Sequence, residues 1–364
     1  MKTKHLLTAS AAALCALTLL PASVHATPPQ YTVTILDSVG DFHFSFGRGI
    51  NSSGQVAGIS SGGNHAVRWT GPTATDLGTL GGDMSVGLGI NDAGQVAGAS
   101  TSAPGPNADH AVRWDGTTIE DLNPLDSPGS RGYAINASGQ VAGTYYSADG
   151  LIQHAVVWTG TTPTDLNTLG GTTSEAYAIN ASGQAAGYSY LSGNATAHAV
   201  RWIGTAATDL GTLGGSGSLG YGINAIGQVV GGAELANGAY HAVIWTGTIP
   251  FDLGTLGGSS SQGFAINSFG DVVGSSYTTG NASYDAFLYT GATMYDLNDL
   301  LVPGSGVTGL SVDSPYVGNS INDLGVEAQE VVHVEAETGD GRAEFEGVVR
   351  TVPVIVVEEE REAF

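Results

Sequence analysis

Short stretches in which apolar and polar residues alternate recur along the whole chain, and Gly, Asn, Thr and Ser separate them. In one such stretch His198, Val200 and Trp202 lie two residues apart, so they would share one face of a β-strand. The chain shows no sustained period of 3.6 residues built from strong helix formers. The pattern predicts an all-β protein in which short strands are joined by tight turns.

The alternation belongs to an internal repeat whose most constant element is the motif Ile-Asn-x-x-Gly. Asn is favoured at the first position of a turn because its side chain bonds the backbone, and Gly accepts positive φ at the fourth. The repeated Asn residues are Asn51, Asn91, Asn136, Asn180, Asn224, Asn267 and Asn322. An interval of about 44 residues indicates one supersecondary unit copied around a ring or along a stack.

Each repeat contains four predicted strands. In one repeat they are residues 174–179, 184–190, 197–202 and 207–213, and the turn at 180–183 joins the first two into a hairpin. Four short strands in this length are typical of a β-propeller blade, and glycines before the motif suit a strand crowded near a central axis. We predict a β-propeller, with other stacked or barrel-like β architectures as the alternative.

Seven copies of the motif predict seven four-stranded blades. The last copy lacks a fourth strand of the Asp-Leu-Gly-Thr-Leu type, whereas residues 31–37 read as an extra strand ahead of the first copy. A terminal strand that completes the last blade would remove a free sheet edge and join the two ends of the chain. We therefore expect the last blade to be closed by the N-terminal strand.

The first residues have the composition of a secretory signal peptide. Lys2 and Lys4 precede an apolar run over residues 6–20 that is short for a membrane span, and a small-residue cleavage pattern ends at Ala26. We predict a signal peptide over residues 1–26 and a secreted protein, extracellular or periplasmic. A retained membrane anchor is the less favoured alternative.

The charge of the chain limits its partners. The formal net charge is −23, and a surface of this sign repels phosphate backbones and anionic lipid head groups. Nucleic acid is therefore excluded as a predicted partner, and no later stretch is long and apolar enough to predict a transmembrane segment. The sequence contains no phosphate loop or nucleotide fingerprint, so we predict no cofactor, and we expect a monomer.

Three motifs occur together in successive repeats. A His-Ala-Val triplet begins at His65, His110, His154, His198 and His241, and Asp285-Ala-Phe takes its place in the sixth repeat. With Ile-Asn-x-x-Gly-Gln-Val and Asp-Leu-Gly-Thr-Leu-Gly-Gly, this pattern resembles the extracellular HAF-repeat family, named for His-Ala-Phe, over residues 31 to about 323. The third position is mostly Val rather than Phe. The resemblance implies export and a repeated β fold, and it implies no known activity.

The predicted domain organisation is a signal peptide, one propeller of HAF-type repeats over residues 27–323, and an atypical acidic segment over residues 324–364. After Asn322 the pattern should continue as Gln-Val-x-Gly, but a stretch rich in Glu follows. Two explanations stay open: a diverged closing blade, or a frameshift in the gene or its record.

The repeated His, Trp and Asp are interpreted as structural. Metal ligands must converge on one ion, whereas a repeat keeps equivalent histidines apart, so blade packing is favoured over a metal ring. The tryptophans, four residues after each His, are expected to fill the space between blades rather than to stack on sugars. The repeated Asp before Leu is expected to bond turn backbone, and no series of oxygen ligands predicts calcium.

A catalytic site would need residues that break the repeat. The glutamates between residues 27 and 323 are Glu120, Glu175 and Glu234, at different repeat positions, so no carboxylate pair of the glycosidase type is expected. The enzyme question stays open, with a non-catalytic protein favoured.

The loops between the second and third strands vary in length and carry tyrosines, and variable loops on a rigid scaffold often bind ligands. The candidate ligand-contact residues are Tyr145, Tyr146, Tyr188, Tyr190, Tyr240, Tyr277 and Tyr284. The predicted function is an exported, non-catalytic scaffold that binds a surface, a glycan or a protein partner. The alternative is a secreted propeller hydrolase or lyase that acts on a polysaccharide.

Overall fold

The computed structural model describes residues 31–36, 45–60, 64–102, 109–123, 127–301, 320–321, 327–331 and 352–358. The predicted signal peptide therefore lies outside the described residues, as does most of the 324–364 segment. The described residues form an all-β propeller, so the predicted fold class is confirmed. No helix in these ranges has the length and apolar composition to cross a membrane.

The strands form a repeating series. The first nine are β1 (Tyr31–Ile35), β2 (Ser45–Ile50), β3 (Val56–Ser60), β4 (His65–Thr70), β5 (Thr73–Asp76), β6 (Ser85–Ile90), β7 (Val96–Thr101), β8 (Asp109–Asp115) and β9 (Thr118–Asp121). The next eight are β10 (Ser130–Ile135), β11 (Val141–Tyr146), β12 (Gln153–Thr159), β13 (Thr162–Asp165), β14 (Gly170–Ile179), β15 (Ala185–Leu191), β16 (Ala197–Ile203) and β17 (Ala206–Asp209).

The series continues to the C-terminal segment. Its strands are β18 (Gly214–Ile223), β19 (Val229–Leu235), β20 (Tyr240–Thr246), β21 (Ile249–Gly254), β22 (Gly257–Ile266), β23 (Val272–Thr278), β24 (Tyr284–Thr290), β25 (Thr293–Asp296), β26 (Ser320–Ile321), β27 (Glu327–Val331) and β28 (Val352–Glu358). Two 3₁₀ turns lie at Thr279–Asn281 and Leu297–Leu300.

Strands β2 to β25 group into units one to six, each of four consecutive antiparallel strands that begin at β2, β6, β10, β14, β18 and β22. The described residues form six hydrogen-bonded sheets, so the predicted count of seven separate blades is not reproduced. The reason is a parallel pair between Gln153 of β12 and Thr173 of β14, which joins units three and four into one eight-stranded sheet.

The remaining sheet joins the two ends of the described chain in the order β1, β28, β27, β26. Strand β1 pairs antiparallel with β28, so the prediction that an N-terminal strand closes the last sheet is confirmed. Each first strand contacts the next around the molecule, and β26 contacts both β22 and β2. The ring of first strands is therefore closed. Both explanations of the 324–364 segment, a diverged closing blade and a frameshift, stay predictions.

The repeated Asn makes the hairpin turn and also links neighbouring units. In unit four the Oδ1 atom of Asn180 accepts bonds from the backbone N–H groups of Ser182 and Gln184, at 3.1 and 3.0 Å. Its Nδ2 donates across the interface to the carbonyl of Asn224, at 3.0 Å. The same hydrogen bond to the next unit is donated by the Nδ2 atoms of Asn51, Asn91, Asn136 and Asn224. The predicted turn is confirmed, and the link between units explains why these Asn side chains are buried.

The glycines before the motif allow the first strands to approach one another. A Cβ added at Gly89 would lie 2.9 Å from the Cα of Ala134 in the next unit, and one added at Gly49 would lie 3.1 Å from the Cα of Gly89. Only the smallest side chains fit at this distance. The predicted crowding around a central axis is therefore confirmed.

The core is a ring of similar clusters between neighbouring units. Trp202 of unit four, for example, is fully buried against Ala155, Val157 and Leu166 of unit three. A serine in the first strand adds a polar link, because Ser174 Oγ accepts from the backbone N–H of Ala155 at 2.9 Å. The tryptophans therefore fill the space between units, as predicted.

Candidate functional site

The repeated histidines are paired within their own units. Each His Nδ1 lies within 2.8 to 2.9 Å of the carboxylate of the Asp eleven residues later. The pairs are His65–Asp76, His110–Asp121, His154–Asp165, His198–Asp209 and His241–Asp252. Each Asp also accepts from the backbone two residues on, as Asp209 does from Gly211 at 2.8 Å, which confirms the predicted turn role. In the described residues, no three His, Cys, Asp or Glu side chains lie close enough to hold a metal ion.

Unit six carries a carboxyl pair at the same place. Asp285 stands where the other units have His, and its carboxylate interacts with that of Asp296. Burial, together with the neighbouring charge of Asp285, raises the pKa of Asp296 to about 6. Unit six therefore keeps the register of the repeat, with Asp296 opposite Phe287, but replaces the His–Asp pair by two carboxyl groups.

The strongest departure from the repeat is a buried carboxylate on β14. Glu175 is only 9% exposed. Its Oε1 atom accepts from Tyr188 Oη at 2.8 Å and from Gln153 Nε2 at 2.9 Å, and its Oε2 atom accepts from Tyr133 Oη at 2.8 Å. All three donors are uncharged groups, so hydrogen bonds rather than an ion pair hold the carboxylate.

The phenols around Glu175 keep their protons. Burial and the charge of Glu175 raise the pKa of the Tyr133 hydroxyl well above its usual range, and the same two causes raise the pKa of Tyr188. Both groups are therefore neutral donors near pH 7. Tyr177 packs between them, with ring centroids 5.0 Å from Tyr133 and 5.8 Å from Tyr188.

An ion pair lies beside this cluster. Arg131 of β10 pairs through its guanidinium with the carboxylate of Asp109 at the start of β8, so the pair joins units two and three. Both side chains are partly exposed, which limits how much such a pair stabilises the fold.

These groups meet at one cavity of about 650 Å³ between units two, three and four. Its side-chain lining includes Asp109, Arg131, Tyr133, Tyr146, Gln153 and Glu175. Guanidinium and amide groups supply donors, the carboxylates supply acceptors, and Tyr146 is 39% exposed. The cavity has a size typical of small-ligand sites and carries a few convergent polar groups.

The cavity is built from two repeat positions that differ between units. Asp109 and Gln153 each precede the repeated His, and Arg131 and Glu175 each follow the serine of the next first strand. Each contact thus joins one unit to the next: Arg131 pairs with Asp109, and Gln153 donates a hydrogen bond to Glu175. Asp109, Arg131, Tyr133 and Gln153 were not among the sequence-predicted site residues.

The structure places the predicted tyrosines at the strand ends beside the loop that joins second and third strands. Tyr146 lines the cavity and Tyr188 holds Glu175. Tyr190 packs against Tyr188, and Tyr145 donates to Asp165 at 2.9 Å. The other three lie in units five and six.

Those three have separate neighbours. Tyr277 and Tyr284 pack on each other with ring centroids 4.7 Å apart. Tyr240 lies beside Glu234 in the register of β19 and β20. The structure therefore brings part of the predicted set to the cavity and assigns the rest to distant strands.

The lone glutamates have separate partners, as expected from their different repeat positions. Glu120 pairs with Arg113, and Glu234 accepts from the backbone N–H of Ser216 at 2.8 Å. Glu175 alone of the three lines the cavity. An alignment of the repeats with one another could have revealed the partners of Glu175. In such an alignment the residue before His and the residue after Ser vary, while the His and Ser themselves stay nearly constant.

Comparisons with known proteins name no family for this chain. No family model matches it, and no curated protein matches it. It is similar to the structure of streptogramin B lyase, with 11% identity, a TM-score of 0.49 and coverage of 91% of this chain and 98% of that chain.

Two further solved structures illustrate the range of neighbours. A gluconolactonase from Xanthomonas campestris has 9% identity and a TM-score of 0.40, covering 93% of this chain and 97% of that chain. The Aleuria aurantia lectin, a six-bladed β-propeller, has 12% identity and a TM-score of 0.36, covering 74% of this chain and 96% of that chain. Similarity at this level carries no argument about the ligand or activity of this chain.

Proposed function

We propose that the chain is a secreted, non-catalytic propeller of the HAF-repeat type that binds a glycan in the cavity between units two, three and four. The repeated motifs support the family, and the pattern of residues 1–26 supports export. One observation carries the binding function: unlike side chains from three units converge on a single cavity, whereas the repeated groups are used within the fold.

The chemistry of the lining favours a polyhydroxylated ligand. A sugar hydroxyl donates and accepts, and the cavity offers both kinds of partner in planar groups of fixed orientation, Arg131 and Gln153 as donors and Glu175 as an acceptor. Tyr146 adds a partly exposed ring, an amphipathic surface that suits the apolar face of a sugar.

Binding is favoured over catalysis because the carboxylates are already engaged. Asp109 is held by Arg131, and Glu175 is held by three neutral donors. A glycosidase needs one carboxyl group that gives a proton and a second that acts as base or nucleophile. The hydrogen bonds described for both carboxylates of this cavity are accepted from neighbouring groups, so neither is arranged as the proton-donating acid of such a pair.

The test is a glycan array, followed by calorimetry on the best ligand, with Tyr146→Ala as the main variant. We expect the affinity to fall by roughly tenfold, because the ring that would cover the ligand is removed. Tyr277→Ala is a matched control: it lies at the same repeat position, is 37% exposed and does not line the cavity, so its affinity should stay within about twofold.

Equal losses in the two variants, or no glycan bound by the intact protein, would contradict the proposed site. The enzyme alternative is tested on the same preparation by screening polysaccharides for new reducing ends or unsaturated products. Activity that disappears in Glu175→Gln would favour a hydrolase or lyase over a binding protein.

A further inference from the structure

We infer that the cavity selects a saccharide that carries an ammonium group over neutral and acidic saccharides. The inference rests on the proposed glycan-binding function and names the class of sugar. It follows from the charges at the cavity, from the hydrogen bonds that Glu175 leaves unmade, and from the charge of the whole chain.

The positive and negative charges of the cavity lining do not cancel. Its lining contains two carboxylates, Asp109 and Glu175, and one guanidinium, that of Arg131. Arg131 is paired with Asp109, so that pair is close to neutral as a unit. The remaining charge is the negative charge of Glu175, which accepts hydrogen bonds from phenol and amide donors and forms no ion pair within the described residues. The Arg131 guanidinium feels this charge without bonding to it, so the lining keeps one negative charge in excess.

Glu175 has room for one more donor. A carboxylate offers about four lone-pair positions. The Oε1 atom accepts two hydrogen bonds, whereas the Oε2 atom accepts one, from Tyr133. An N–H group of an ammonium could therefore bind Oε2 without displacing any of the three donors.

The surroundings keep the field of this carboxylate strong. Glu175 is 9% exposed, so water screens its charge weakly compared with a surface carboxylate. Burial, and after it the charge of Glu175, raises the pKa of the Tyr133 and Tyr188 hydroxyls that bond to it. Tyr133 and Tyr146 also bring aromatic rings to the cavity, and a ring face attracts a cation.

The net charge of the whole molecule also favours a cationic ligand. The net charge of −23 attracts cationic ligands over distances up to the Debye length and repels anionic ones. A uronic acid would meet both this long-range repulsion and the nearby carboxylate of Glu175. Arg131, the lining cation, is already paired with Asp109, which weakens its attraction for a second carboxylate.

The experiment compares three short oligosaccharides of equal length: one of glucosamine, its N-acetylated counterpart and one of a uronic acid. Binding to the intact protein is measured by calorimetry at slightly acidic pH, where the amine is protonated, at low and high salt. We expect the amine to bind about tenfold more tightly than the N-acetyl form, with a preference that shrinks in salt, and the uronate to bind most weakly.

Glu175→Gln should abolish the preference for the amine, because it removes the negative charge and keeps the size of the side chain. Both ligands are expected to bind more weakly, and the readout is the ratio of the two affinities. Asp109→Asn is a second variant, because it removes a partly exposed charge from the cavity and should reduce the preference without disturbing the buried cluster. Glu234→Gln removes a charge away from the cavity and should keep the full preference.

Two outcomes overturn the inference while the proposed function stands: the N-acetyl or uronate ligand binds the intact protein at least as tightly as the amine, or the preference survives both Glu175→Gln and Asp109→Asn. If no oligosaccharide binds in this set or on the array, the proposed function fails, and the inference fails with it.

Discussion

Two kinds of contact join neighbouring units, and they serve different ends. The contacts of Asn180 and Ser174 recur at most of the described interfaces with the same residues and nearly the same distances. Trp202 has an equivalent Trp in every unit except the sixth, which has Tyr289. The contacts of Asp109 with Arg131 and of Gln153 with Glu175 use equivalent positions, but the residues change from one interface to the next. The repeated contacts hold the ring, and the changing contacts make two adjacent interfaces chemically distinct.

The difference teaches where to look for function in a repeat protein. A group present once per unit is spread around the ring and cannot form a single site, as the five His–Asp pairs show. A position that the fold leaves unconstrained can instead hold unlike groups on adjacent units. Variants of the first kind should lower stability, and variants of the second kind should change binding.

The largest expected effect comes from the repeated core. Trp202→Ala removes a fully buried indole from between units three and four, so unfolding in urea should show a loss of about 3 to 5 kcal/mol. Ile203→Ala is the control, because Ile203 is 52% exposed, and its effect should stay within about 0.5 kcal/mol. Similar losses in both variants would contradict the packing role of the tryptophans.

The next effect comes from the repeated Asn. Asn180→Ala should cost about 2 to 3 kcal/mol, because the backbone groups of Ser182, Gln184 and Asn224 lose their buried partner. Asn237→Ala, at an exposed Asn that bonds only its own loop, should cost about 0.5 kcal/mol. A loss for Asn180→Ala no larger than for Asn237→Ala would show that the link between units is dispensable.

The carboxyl pair of unit six should give a pH-dependent effect. The pKa of Asp296 is raised to about 6 in the folded protein, against roughly 3.9 when unfolded, so its protonation favours the folded state at low pH. That stabilisation is lost as pH rises through about 6. Asp285→His restores the pair of the other units and should raise stability at pH 7 by about 1 kcal/mol, after allowance for solvent screening.

The reverse change provides the control for the carboxyl pair. His241→Asp places the same two carboxylates in unit five, beside Asp252, and should lower stability at pH 7 with partial recovery at lower pH. Urea unfolding at several pH values measures both variants. A gain for Asp285→His that does not change with pH would contradict the raised pKa of Asp296 as its origin.

The smallest effect on stability should come from the changing positions. Arg131→Leu installs the residue that unit five carries at this position, Leu219, so the sheet should tolerate it within about 0.5 to 1 kcal/mol. The affinity for a neutral glycan should nevertheless fall by roughly tenfold, because a hydrogen-bond donor of the lining is removed. Stability measured in urea and affinity measured by calorimetry should therefore change independently.

Much of the fold could be predicted from the residues alone. Asn and Gly marked the hairpin turns, alternating His, Val and Trp marked the third strands, and residues 31–37 were correctly predicted to contain a closing strand. The count of separate sheets could not be predicted, because the joining of units three and four depends on a single parallel pair, Gln153 with Thr173, and not on a motif.

The site was predicted only in part. Tyr146, Tyr188 and Glu175 broke the repeat visibly, but Arg131, Asp109 and Gln153 lie far from them in sequence and become partners only across unit interfaces. The pairing of His with the Asp eleven residues later was also missed, because the two positions meet only when the third and fourth strands pair.

The sequence by itself determined what is local and repeated: the turns, the strand alternation, the packing positions and the overall charge. These features follow from backbone preferences and side-chain periodicity within one unit, and the seven copies of the motif make them recognisable in the sequence. The tertiary structure alone decided which unlike residues share one cavity. Ring closure sets how one unit meets the next, and that geometry brings the neutral donors around Glu175 and leaves its charge unmatched.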